Sequence, residues 1–156
     1  DLAAVSLGGG GRWILLEPKT GPLSDTLDHA VVTLRQRGFR SLIAHPERHL
    51  TADLFDRLAR LVEEGALIQA TAATMSDPPA DRGMRMLAEA GLIHVLASDS
   101  HHPRWGRDAT LSHGFSVLAD VPLLAPHMEW IVRAAPTGIV AGDDLTAPYA
   151  PVSPSG

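Results

Sequence analysis

Residues 42–49 read LIAHPERH. A short apolar run breaks off into histidine, proline, glutamate, arginine and histidine. With the two residues before it, residues 40–44 (RSLIA) have the length and continuity of a strand buried on both faces. Such strands belong to parallel sheets covered by helices. A core strand needs no polar ending of this kind, but a strand that carries chemistry at its tip does.

Working outward, the alternation continues on both sides. Residues 12–17 (RWILLE) read as a strand. Residues 22–37 follow with helical spacing through Leu23, Leu27, Val31 and Leu34, and Gly38 suits the stop. Thr51 is placed to cap a helix carrying Leu54, Leu58, Leu61 and Val62, which Gly65 ends. Residues 66–71 (ALIQAT) are a third strand, 80–90 a helix stopped by Gly91, and 92–97 (LIHVLA) a fourth strand. Two further helices are expected near 108–119 and 123–134. Residues 1–142 thus form one α/β domain. The stretch 143–156, with three prolines among serines and glycine, is expected to be a disordered tail. Four strand–helix units fit either an open doubly wound sheet or part of an α/β barrel.

Composition narrows the function. The chain has 156 residues, 45% of them hydrophobic, and a net charge of −5, so nothing electrostatic favours a nucleic acid or an anionic membrane. There is no cysteine, which removes disulfides and thiolate metal sites and agrees with a cytoplasmic protein. No apolar run approaches the roughly 20 residues of a membrane span, so membrane insertion is not expected.

In parallel α/β folds the C-terminal strand ends emerge on one rim, and active sites form there. The strand ends here deliver Glu17, then His45-Pro46-Glu47-Arg48, then Thr71, then Ser98-Asp99-Ser100-His101. Carboxylates and imidazoles without thiolates suit a divalent metal such as manganese, zinc or iron. Asp99 and His101, two apart, would point the same way on extended backbone. A carboxylate such as Glu17 can bridge two metals, and paired metals activate water for attack on phosphate. Taken alone, His45 reads as a hydrogen-bonded loop residue, Asp99 as a turn cap and Glu17 as a solvated acid; the shared rim is what favours ligation. His94, inside a strand, reads as a core residue or one supporting the ligands. His49, His102, His113 and His127 read as solvated or structural. Arg48, Arg104 and Arg107 are surface residues unless the substrate carries phosphate, when they become bidentate clamps. HPERH matches neither HExxH nor HxxEH, the glycine run 8–11 precedes a strand instead of following one, and no Gly-x-Ser-x-Gly elbow is present.

The stretches ILLEP, LRQRGFRSLIAHPERH, LVEEGALIQATAATM and LAEAGLIHVLASDSHH, in this order, resemble the bacterial manganese-dependent protein-tyrosine phosphatases of capsule and exopolysaccharide operons (CpsB/YwqE type). These belong to the PHP (polymerase and histidinol phosphatase) superfamily. The resemblance runs from about residue 12 to about 118. It implies the C-terminal portion of a distorted (β/α)7-type PHP barrel with parallel strands, carrying divalent metals, manganese first and zinc or iron as alternatives. It matches Glu17 to the bridging glutamate, His45 to the histidine of an AHPER stretch, and Asp99 and His101 to an SDAH stretch. Arg48 matches an arginine at the phosphate, and Arg104 or Arg107 a second one. It implies a phosphotyrosine protein as substrate, for example a bacterial tyrosine kinase. The family's opening His-x-His strand and a further Glu and His have no counterpart here. An upstream part is therefore expected, and without it the unpaired first strand would leave the chain poorly stable or dimeric. Two other readings stand beside the first: a small-molecule phosphatase of the histidinol-phosphatase type, and a non-catalytic partial barrel that binds a partner.

Overall fold

The computed structural model describes residues 1–19, 21–49, 51–73, 78–101 and 109–152, with residues 78–81 described for backbone alone. Among the described residues, four parallel strands, β1 (Trp13–Leu16), β2 (Arg40–Ala44), β3 (Leu67–Thr71) and β4 (Val95–Ala97), form one sheet in the order β1-β2-β3-β4. Helices α1 (Asp25–Gln36), α2 (Leu54–Glu63) and α3 (Pro78–Glu89) make the crossovers, and α4 (Ser112–Ala119) and α5 (Ala135–Ala141) follow. The expected α/β class with parallel strands is what the chain adopts.

The pleat divides the apolar residues between two faces. Ile43, Ile68 and Leu96 pack with Leu27, Leu58, Leu61 and Leu87 of the crossover helices. Trp13, Leu42, Leu67 and Val95 pack on the other face against Ala135 and Ile139 of α5. Leu15 is 42% exposed, one step nearer the rim than the fully buried Trp13.

Local departures from the expected elements have identifiable causes. Helix α2 begins at Leu54, not at a Thr51 cap; Thr51 instead donates its hydroxyl to Asp53 Oδ1 at 2.8 Å. Strand β4 is shorter than expected because the His94 ring intervenes. Its Nδ1 accepts the Ile68 N–H at 3.1 Å, a donor that a longer β4 would engage through a carbonyl. Of the helix expected over 123–134, the second half is helical: a 3₁₀ turn at Ala125–His127 precedes it, and it passes through a π-helical turn at Trp130–Ala134 into α5. Pro136, in the first turn of α5, has no N–H to give, and a wider turn before it relieves the ring's clash with the preceding carbonyls.

Residues 143–152 are packed, contrary to the expected disordered tail. They cross the N-terminal ends of the strands. The Trp13 indole donates to Asp143 O at 2.8 Å, and Arg40 pairs with Asp144 at 2.7 Å. The Tyr149 hydroxyl donates to Ile93 O, and the Val152 N–H reaches Ala90 O at 3.0 Å. Leu145, Ala147 and Tyr149 supply the apolar contacts that composition alone had hidden.

Candidate functional site

The opposite, C-terminal ends of the strands form the rim. β1 runs out into Glu17, β2 into His45, β3 into Thr71, and β4 into Ser98 and Asp99. Among the described residues, the non-glycine positions with positive φ are His45 (37°) and Asp99 (54°). Left-handed backbone costs an L-residue about 1–2 kcal/mol, and such strain concentrates where a side chain must be held for function. His45 keeps its place in the sheet ladder, its N–H donating to Gln69 O at 2.8 Å. The chain then turns sharply into a 3₁₀ turn at Pro46–Arg48. LIAHPERH is thus a core strand whose last residue is wrenched round to face the rim.

Among the described residues, rim side chains meet across strands in two places. His45 Nε2–H donates to Glu17 Oε1 at 3.1 Å; the His45 ring is buried and the Glu17 carboxylate largely solvated. Arg48 forms an ion pair with Asp99. His101 does not run alongside Asp99 as extended backbone would require. The left-handed turn at Asp99 folds it back, so that its Nδ1–H donates to Asp99 O at 2.9 Å while the ring stays in solvent. Among the described residues no three His, Asp or Glu side chains converge into a metal-holding group. Arg104, Arg107 and His102 lie outside the described residues. A groove of about 500 Å³ opens beside Glu17, lined in part by Leu15, Leu16, Pro18, Lys19 and Leu27.

Residues 4–120 match the family model "Capsular polysaccharide synthesis, CpsB/CapC". The chain belongs to the CpsB/CapC family. A chain from the crystal structures of YwqE from Bacillus subtilis and CpsB from Streptococcus pneumoniae, described as unique metal-dependent tyrosine phosphatases, shares the fold with a TM-score of 0.72 at 24% identity. The match covers 91% of the present chain and 58% of that one, so this sequence spans little more than half the length of its structural relative. No curated protein gives a significant match.

Glu47 and Arg57 of this CpsB/CapC chain gain roles that sequence reasoning did not assign, and His49 takes the structural one of its two readings. Glu47 is buried, and its Oε1 accepts the Thr71 N–H at 3.1 Å. Burial raises its pKa above the usual carboxylate value, against hydrogen bonds from its own backbone and Thr71 and the nearby charge of Arg48. Nothing local marks it, because the residue it bonds lies 24 positions away. His49 is structural: buried, it donates from Nδ1 to Gly21 O at 2.5 Å and so holds the loop that follows Glu17. The same loop is held by Arg57, whose guanidinium donates to Leu23 O and Ser24 O, each at 2.6 Å, and pairs with Asp28. His94 is a core residue. It stacks on Tyr149 at a centroid separation of 5.7 Å, and burial lowers its pKa to about 3.

Proposed function

We propose that this chain forms the C-terminal part of a metal-dependent phosphoesterase acting on phosphotyrosine, in a protein linked to capsule or exopolysaccharide synthesis. The observation that carries the reading is the left-handed backbone at His45 and Asp99, two residues at different strand ends, each turned toward the same rim. Family membership and the fold shared with metal-dependent tyrosine phosphatases support it.

The donor set fits a divalent ion. His45 Nε2 faces a carboxylate oxygen of Glu17 and is the outward nitrogen of the ring; to bind the ion it would give up the proton it shares with Glu17, and the ring N–H would move to the buried Nδ1. Glu17, His45, Asp99 and His101 would hold the metal, manganese first, with zinc or iron as alternatives. When bound, the metal supplies charge neutralisation and water activation at phosphorus. The chain's own part is positioning. Arg48 presents a planar fork to the phosphoryl oxygens once it leaves Asp99, and its fixed positive charge offsets charge that builds up during displacement. Arg104 or Arg107 would add a second cation. The apolar walls of the groove beside Glu17 suit an aromatic ring, which favours a phosphotyrosine protein, such as a bacterial tyrosine kinase, over small esters of the histidinol-phosphate type.

Manganese-dependent hydrolysis of a phosphotyrosine peptide tests the proposal, with His45→Ala as control and a panel of small phosphate esters for comparison. Activity that EDTA and His45→Ala each abolish is the expected result. Activity that survives both would sink the metal reading. The lack of a metal-holding group among the described residues favours one rival: a partial barrel that binds a partner and catalyses nothing. Manganese binding without turnover by the protein would select that rival.

A further inference from the structure

The sheet order places β3 between β2 and β4. Arg48, just beyond β2, nevertheless pairs with Asp99, just beyond β4. The Pro46–Arg48 turn must therefore span the end of β3, and the residue in the middle of that turn is Glu47. Glu47 is 1% exposed, and its Oε1 accepts the N–H of Thr71, the last residue of β3. Burying a carboxylate is costly unless its oxygens are satisfied, so a glutamate here is a poor choice for a plain turn. It is a good choice for a pier beneath a span. A shorter side chain would not reach β3, and an apolar one would take away the carboxylate oxygen to which the Thr71 N–H donates.

We infer that Glu47 is a positioning residue: by fastening the turn to the end of β3, it sets His45 on one side and Arg48 on the other at a fixed separation. The inference rests on the phosphatase reading for its consequence in turnover, but not for its geometry. Glu47 contacts no reacting atom in this scheme. Supporting partners of this kind are worth roughly 10–100-fold in metal affinity or rate, because small misplacements of reacting groups are amplified.

Three variants separate its elements. Glu47→Gln removes the charge and keeps an acceptor for Thr71. Glu47→Asp keeps the charge and shortens the reach. Glu47→Ala removes both. The readouts are manganese affinity by calorimetric titration, the KM and kcat of phosphotyrosine-peptide hydrolysis, and the NMR signal of the Arg48 side-chain Nε–H, which needs neither metal nor substrate. Glu47→Gln is expected to stay within about threefold of the parent in affinity and kcat and to keep the Arg48 signal. Glu47→Ala and Glu47→Asp are expected to lose roughly 10–100-fold in both, with KM changed less than kcat, and to shift or lose that signal. If Glu47→Ala does not fold, the Gln and Asp variants carry the test. The inference is overturned if Glu47→Asp matches the parent in all three readouts, or if Glu47→Gln is as impaired as Glu47→Asp. A parent protein that neither binds manganese nor hydrolyses the peptide would defeat the phosphatase reading, and the Arg48 signal across the three variants would still decide the role of Glu47.

Discussion

Acidification should weaken this fold through one residue. The His94 ring is fully buried, its Nδ1 accepts the Ile68 N–H, and its faces lie among aromatic rings. Protonation would put an N–H on Nδ1 directly opposite the Ile68 N–H and leave a charge in an apolar surround. Burial holds the folded-state pKa far below the ordinary 6.5, at about 3. Below pH 6.5 the unfolded chain therefore takes up a proton that the folded chain refuses until about pH 3. Stability then falls as pH falls through that window, at up to about 1.4 kcal/mol per pH unit. From pH 7 to pH 5 the loss integrates to about 2 kcal/mol, or about 4–8 °C in Tm for a chain of this size. The assay is urea unfolding at pH 7, 6 and 5, comparing the parent with His94→Gln, whose amide oxygen can still accept from Ile68. The variant starts less stable at pH 7 because it loses the stack on Tyr149, and its profile should be flatter by that same 2 kcal/mol. Parallel profiles for the two proteins would refute the reasoning, since the slope would then belong to other groups.

Further outcomes follow from the packing and the rim. Tyr149→Phe removes the hydroxyl that bonds the Ile93 carbonyl and should cost about 1 kcal/mol in denaturant unfolding. Ending the chain after residue 142 removes the Leu145 and Tyr149 contacts and should lower stability by several kcal/mol, at about 1.5–3 kcal/mol per apolar side chain lost; an unchanged Tm would show that the crossing segment is dispensable. Gly114→Ala would place a Cβ 2.9 Å from Ala72 Cα and Cβ, so a loss of about 1–3 kcal/mol is expected despite alanine's better helix propensity. Arg48→Lys keeps the charge and loses the planar fork. It should lower kcat/KM on phosphotyrosine peptide by roughly tenfold or more, and equal rates would remove Arg48 from phosphate recognition.

The fold was legible where continuous apolar runs met clear stops. Strand 40–44 was expected and found with the same ends, because its run is bounded by Gly38 before and His45-Pro46 after. Placing Glu17, His45 and Asp99 at one rim needed only the parallel-sheet rule. The pairings within the rim were not legible. That Arg48 reaches Asp99 depends on how the turn crosses β3, and that His101 folds back depends on the left-handed backbone at Asp99. Glu47 received no reading of its own, because its burial is tertiary. The stretch beyond Gly142 misled in the opposite direction. Its three prolines, two serines and glycine drew the reading toward disorder, while its placement is decided by Leu145, Tyr149 and the Asp143 carbonyl that Trp13 seeks. The π turn before Pro136 breaks the helical period that sequence spacing assumes.

The crossing segment also has a consequence for how the protein is made. Trp13 waits for Asp143 across 130 residues, and Arg40 waits for Asp144 across 104. A nascent chain emerging from the ribosome can therefore pair all four strands while the floor of its sheet is still open to water, with the Trp13 indole unmatched. Contacts so distant in sequence are late and slow to form, since the entropy of closing the loop is lost before they reward it. Translation that stalls before residue 143 would thus release a species with β1–β4 paired and an unlatched base, a natural substrate for chaperones.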